Sequence, residues 1–162
     1  MRSDRINSNS NNYNEYENKV VDITTATYTV LANESGTLIT LNKADGIAVT
    51  LPSAAIGLQY EFVIGTTFSS DLSITAASSA DTYQGVIMNH DLSYLGSVIP
   101  WIGSYDTSAA KLPAAADYIL TLDAVTDGWT LGGYMKFTAV SASKWLLQGT
   151  LIGDGTVTHI FS

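Results

Sequence analysis

The sequence predicts an all-β protein: an antiparallel β-sandwich or jelly-roll-like barrel with an extended N-terminal arm. Three observations lead there. Apolar and polar residues alternate with a period of two over many short runs, as in Ile47, Val49, Leu51 and again in Tyr60, Phe62, Ile64. Only 14% of the residues are charged, and Thr, Ser, Ala and Gly replace the strong helix formers Glu, Lys, Arg and Gln. Asp-Gly pairs fall between the runs at Asp45-Gly46, Asp127-Gly128 and Asp154-Gly155, where tight reversals tolerate positive backbone dihedrals. With 162 residues and 46% hydrophobic content, one domain can bury a core without covalent staples.

Residues 1–22 read as an arm. Asn7, Asn9, Asn11, Asn12, Asn14 and Asn18 stand among serines and charges, with almost no aliphatic side chain before Val20. Tyr13, Tyr16 and Val20 are spaced three and four apart, and Glu15 precedes Lys19 by four, a spacing that suits one or two helical turns on a docked partner. Two readings of the segment stand side by side: an arm that orders on a partner, with Tyr13 and Tyr16 as its anchors and Val20 and Val21 behind them, and a frayed terminus.

The body, residues 23–162, reads as about ten or eleven short strands. They fall near Thr25 to Leu31, Thr37 to Asn42, Ile47 to Leu51, Tyr60 to Ile64, Leu72 to Thr75 and Thr82 to Met88. Further runs follow near Tyr118 to Asp123, Gly128 to Gly132, Tyr134 to Val140, Lys144 to Gln148 and Thr156 to Phe161. The Asp-Gly pairs make neighbouring strands antiparallel hairpins in this reading. Pro52 and Pro113 lack an amide donor and belong at strand ends or on connections. Asn89 to Ala116, holding Trp101 and Tyr105, is the least regular stretch. Few lysines guard the expected edge strands, which favours a homo-oligomer.

Composition excludes several classes of function. Seven basic against fifteen acidic residues give a net charge of -8, which repels nucleic acid and anionic membrane surfaces. No cysteine is present, so disulfides, thiolate chemistry and cysteine-ligated metals are out. The polar start from Met1 to Asn18 is no secretory signal, and runs such as Val98 to Gly103 are too short for a bilayer. The expectation is a soluble protein made in a cytoplasm.

Motifs for chemistry are missing. His90 is expected in a loop and His159 in the last strand, without metal-ligand spacing. Gly103-Ser104-Tyr105 is no nucleophile elbow. The Asp-Gly loops lack the alternating oxygen ligands of a calcium loop, and neither a dinucleotide fingerprint nor a phosphate loop occurs. No catalytic residue, metal or cofactor is expected. The carboxylates read as solvated turn residues rather than a glycosidase pair, and Trp101, Trp129 and Trp145 as core or interface rather than a sugar platform.

Three segments carry a resemblance: Thr27-Tyr-Thr-Val-Leu-Ala-Asn-Glu-Ser-Gly36, Ala44-Asp-Gly-Ile-Ala-Val-Thr-Leu-Pro-Ser53 and Ile56-Gly-Leu-Gln-Tyr-Glu-Phe62. Together with Phe137 to Gly149 and Gly153 to Thr156, the span from Thr24 to Ser162 resembles small β-rich virion proteins of tailed bacteriophages, of the capsid decoration or cement type. The resemblance implies a non-enzymatic homotrimer on the outer capsid surface, with the major capsid protein as partner and synthesis in the host bacterial cytoplasm. The alternative it implies is a tail-fibre or head-fibre module that binds host surface glycan. It carries over no catalytic residues, and residues 1–22 lie outside it.

Overall fold

The computed structural model describes residues 19–91, 113–124, 130–153 and 160–162, with the backbone path alone for 89–91. Ten strands are described: β1 (Val20–Ile23), β2 (Thr27–Thr29), β3 (Thr37–Leu41), β4 (Ile47–Thr50), β5 (Gln59–Ile64), β6 (Leu72–Thr75), β7 (Thr82–Asp91), β8 (Ile119–Leu122), β9 (Tyr134–Ser141) and β10 (Lys144–Gly153). The helical content among these residues is a single 3-10 turn at Ala32–Glu34. The protein is all-β.

Two mixed sheets result. The six-stranded sheet has the order β1-β3-β5-β9-β10-β7 and the four-stranded sheet β2-β4-β6-β8. From β1 to β6 the chain alternates between the sheets, so each strand in one sheet is the crossover between two parallel strands of the other. Parallel neighbours need such a crossover. The chain thus winds three turns of a coil before β7 leaves for the far edge of the large sheet. There β7 pairs parallel to β10, and antiparallel β8 and β9 finish the stack against β6 and β5. The last residues add to β8: Thr121 N–H donates to Ile160 O at 2.8 Å, and Ile119 and Ser162 exchange bonds of 2.8 and 3.0 Å.

Both sheets turn their apolar face to one core. Ile39, Leu41, Tyr60, Phe62, Ile64, Met135, Phe137, Trp145, Leu147 and Leu151 come from the large sheet, and Ile47, Val49, Leu72, Ile74, Leu120 and Leu122 from the small one. Phe137 receives Phe62 edge-on at 5.6 Å and Tyr83 at 5.6 Å, while Tyr60 leans on Trp145 at 5.9 Å. Such pairs add about 0.5–1.5 kcal/mol beyond the area they bury. The Tyr83 hydroxyl donates to Ile74 O at 3.0 Å, tying one sheet to the other.

The abundance of Thr and Ser finds its place on the outer faces. Across the small sheet, Thr27, Ala48, Ser73 and Thr121 form one rank and Thr29, Thr50, Thr75 and Ile119 the next. Beta-branched hydroxyl residues suit the solvent side of a pleat, where they keep strand geometry without adding charge.

The structure corrects four expectations. The sheets are mixed rather than antiparallel, because the period-two signal marks faces and is the same for either strand direction. Asp45-Gly46 is no hairpin turn: it lies in the arch from β3 to β4, with Gly46 at φ +89° and Asp71 O 2.5 Å from where a Cβ would stand. Val20 and Val21 belong to the body, not the arm, because β1 pairs in register with β3, Val20 opposite Leu38 and Val21 opposite Ile39. His90 lies on the path of β7, opposite Ile152, rather than in a loop. The Asp-Gly pairs at 127–128 and 154–155 lie outside the described residues, as do His159 and Trp101.

Candidate binding end of the body

One end of the body is built from residues 30–36, 51–58, 76–81 and 142–143, the connections that precede β3, β5, β7 and β10. Backbone and side-chain bonds stitch them together. Gly36 N–H donates to Gln59 O at 2.8 Å, Gln59 N–H to Ser35 Oγ at 3.0 Å, and Gly57 N–H to Ala139 O at 3.0 Å. Thr82 N–H reaches Ser143 O at 2.9 Å. Buried Asp81 accepts from Ala54 N–H at 3.3 Å, joining the second connection to the third.

Glu34 is the hub of the first connection. It closes the 3-10 turn, is buried, and accepts from Leu31 N–H at 2.8 Å and from the Tyr28 hydroxyl at 2.7 Å. Exposed Lys19 approaches the same carboxylate at 3.9 Å, an ion pair worth under about 1 kcal/mol at such exposure. The backbone holds Lys19 more firmly, since Leu38 N–H donates to Lys19 O at 3.0 Å. Burial pushes the Tyr28 hydroxyl up to about 12, helped by its bond to Glu34 and that group's charge. Burial also raises Tyr60 to about 12, with the charge of Glu34 second; its hydroxyl donates to Leu31 O at 3.1 Å.

This network points apolar side chains outward. Leu31 has its N–H and C=O engaged by Glu34 and Tyr60, yet its side chain is 55% exposed. Ile56, at the tip of a turn closed by Leu58 N–H to Ala55 O at 3.1 Å, is 79% exposed. Val140, on the outer side of β9 next to the Ala139 that accepts from Gly57 N–H, is 40% exposed, and Val20, which opens β1 at the same end, is 57% exposed.

The carboxylates here are turned to internal use: Glu34 and Asp81 as above, and Asp117 accepting from Ala114 N–H at 2.7 Å. The opposite end, residues 24–26, 42–46, 65–71 and 130–133, has the exposed Lys43–Asp45 pair at 2.9 Å. Leu131 is exposed there, and Val86 and Met88 are exposed on β7.

Of the four residues expected to anchor the arm, Tyr13 and Tyr16 lie outside the described residues. Val20 and Val21 are strand residues, Val20 outward and Val21 packed against the core. Sequence reasoning missed Leu31 and Ile56. Leu31 falls at the end of an alternating run, and the signal for Ile56 was its place between Ala55 and Gly57 in a turn after Pro52, where an apolar side chain has no inner face to join.

Among the described residues no cluster of three or more His, Asp or Glu is placed to hold a metal ion, and no helix is long and apolar enough to cross a membrane. The fold therefore defines the chain by class, an all-β protein of two mixed sheets with an apolar end. No protein-family model, curated protein or solved structure matches it.

Proposed function

We propose that the protein is a non-enzymatic structural component of a bacteriophage virion, a capsid decoration or cement protein that works by adhesion. In this reading the body is a two-sheet sandwich that trimerises on the outer head surface. The N-terminal segment, residues 1–18, is the arm that grips the major capsid protein. One observation supports it above others: Lys19 is fastened to the body through its carbonyl and beside Glu34, so an 18-residue polar segment is rooted on a rigid all-β frame.

An arm that orders on its target loses conformational entropy and binds weakly alone. Three arms on one trimer raise avidity by about a hundredfold or more when all three sites are in reach, so assembled shells are preferred over free subunits. The net charge of -8 keeps the body off the packaged genome.

The test is co-sedimentation with purified expanded heads. The full chain should bind, and a chain lacking residues 1–18 should not, while keeping its oligomeric mass in light scattering. Equal binding by both chains defeats the arm mechanism. Glycan binding by the isolated protein, with no affinity for heads, moves the assignment to a fibre module.

A further inference from the structure

We infer, resting on the self-association in the reading above, that the outer face of the six-stranded sheet is where copies of this chain meet. The half made by β1, β3 and β5 on one copy covers the half made by β9, β10 and β7 on the next.

Strand register makes that face one continuous surface. A single rank crosses the whole sheet as Val20, Leu38, Glu61, Lys136, Gln148 and Val86. The rank on one side of it carries Val63, Tyr134 and Met88, and the rank on the other carries Leu146. Val20, Val86 and Met88 are exposed, and Leu38, Val63, Tyr134 and Leu146 partly so. The outer ranks of the small sheet are Thr, Ser and Ala but for Ile119. One fold therefore turns a hydroxyl-coated face to water on one side and a contiguous aliphatic face on the other, the mark of an interaction surface.

Charge names the occupant. Among the described side chains this face carries Asp22 and Glu61 on its first half and Lys136 and Lys144 on its second, a neutral sum in a chain of net charge -8. Lys136 and Glu61 pair across the midline at 3.2 Å, Asp22 accepts from Thr40 Oγ1 at 2.7 Å, and Lys144 Nζ donates to Thr82 Oγ1 at 3.2 Å. Exposed Lys19 stands at the margin ahead of β1 and approaches Glu34 at 3.9 Å; a rim charge of that kind keeps its water. Copies of one acidic chain repel each other broadly, and this face is where they meet without net charge. An acidic half on a basic half attracts, while like halves oppose. In a ring of three, each face divides between its two neighbours, a head-to-tail contact that closes.

The experiment follows mass by light scattering over a micromolar dilution series. Val86→Glu with Met88→Glu sets new acid against the neighbour's acidic half and should raise the association midpoint about tenfold or more, with unchanged circular dichroism. Val86→Lys with Met88→Lys loses the same apolar contact but meets opposite charge, so it should raise the midpoint less. Ile56→Lys and Leu131→Lys, off this face, should assemble as the parent does. If the glutamate pair misfolds, Val86→Ser with Met88→Ser takes its place. In the full chain, hydrogen peroxide should oxidise Met88 severalfold more slowly above the association midpoint than below it, with buried Met135 slow throughout.

An oligomeric parent whose glutamate pair keeps the parent's midpoint overturns the inference and leaves trimerisation standing through another surface. A lysine pair that assembles worse than the glutamate pair overturns the pairing of opposite halves. Slow oxidation of Met88 at every concentration assigns the face to the chain's own residues outside the described structure and overturns it as well. A monomeric parent does the same. Disassembly by the glutamate pair, in a protein that binds no phage heads, upholds the inference and defeats the virion reading alone.

Discussion

Tyr28 donates to Glu34, Tyr60 donates to Leu31 O within the field of the same carboxylate, and their chemistry makes an alkaline prediction. Both hydroxyls are raised to about 12 in the folded protein, against about 10 in an unfolded chain. The folded state thus prefers the neutral phenols. Their contribution to stability is whole below pH 10 and is lost as pH climbs from about 10 to about 12. Denaturant midpoints at pH 8, 10 and 11 should therefore fall over the last interval, and Tyr28→Phe should flatten part of that fall. At pH 8 the same variant should cost about 1–2 kcal/mol, since Glu34 loses one donor. A second prediction concerns Gly85, which lies at φ +125° with the Leu147 carbonyl where a Cβ would project. Gly85→Ala should destabilise by about 2–4 kcal/mol in urea unfolding, because both the dihedral and the backbone of β10 oppose it.

At the scale of elements, β1 decides where the body begins. Its partner β3 contributes Ile39 and Leu41 to the core, and Ile23 of β1 is buried as well. Deleting residues 1–18 should leave the thermal midpoint nearly unchanged. Deleting residues 1–23 should lower it by roughly 2–4 °C for every kcal/mol lost, and scanning calorimetry separates the two. Equal midpoints would show that β1 adds nothing to the sheet. The strands themselves were legible from alternation: β3, β4, β5, β6, β8 and β9 fall on the runs read from sequence. Their partners were not, because Ile47, Val49 and Leu51 alternate alike whether Leu72 and Ile74 run beside them parallel or antiparallel. Asp45-Gly46 misled for a similar reason, since a positive dihedral serves an arch between sheets as well as a hairpin within one.

For the whole molecule, coil winding implies a gradient of protection. β3 and β5 are flanked on both sides in the large sheet, whereas β1 and β2 end their sheets in the described structure. Native-state hydrogen exchange should be slowest at Ile39, Leu41, Phe62 and Ile64 and faster at Val20 and Thr29. Uniform exchange across these strands would show that the coil opens only as a unit. Light scattering at micromolar concentration should give the mass of a trimer for the full chain, and a monomer removes the avidity on which the proposed function relies.

By itself the sequence determined that this protein is β-rich, where most strands lie and which side of each faces the core. Those are local properties, written in the spacing of side chains along a few residues. Only the tertiary structure decided that the strands wind into two mixed sheets, that Val20 and Val21 join the body, and that Leu31 and Ile56 face outward at the end beside Glu34. Such choices depend on contacts between residues distant in sequence, and a Leu or Ile has the same identity whether a fold buries it or holds it in water.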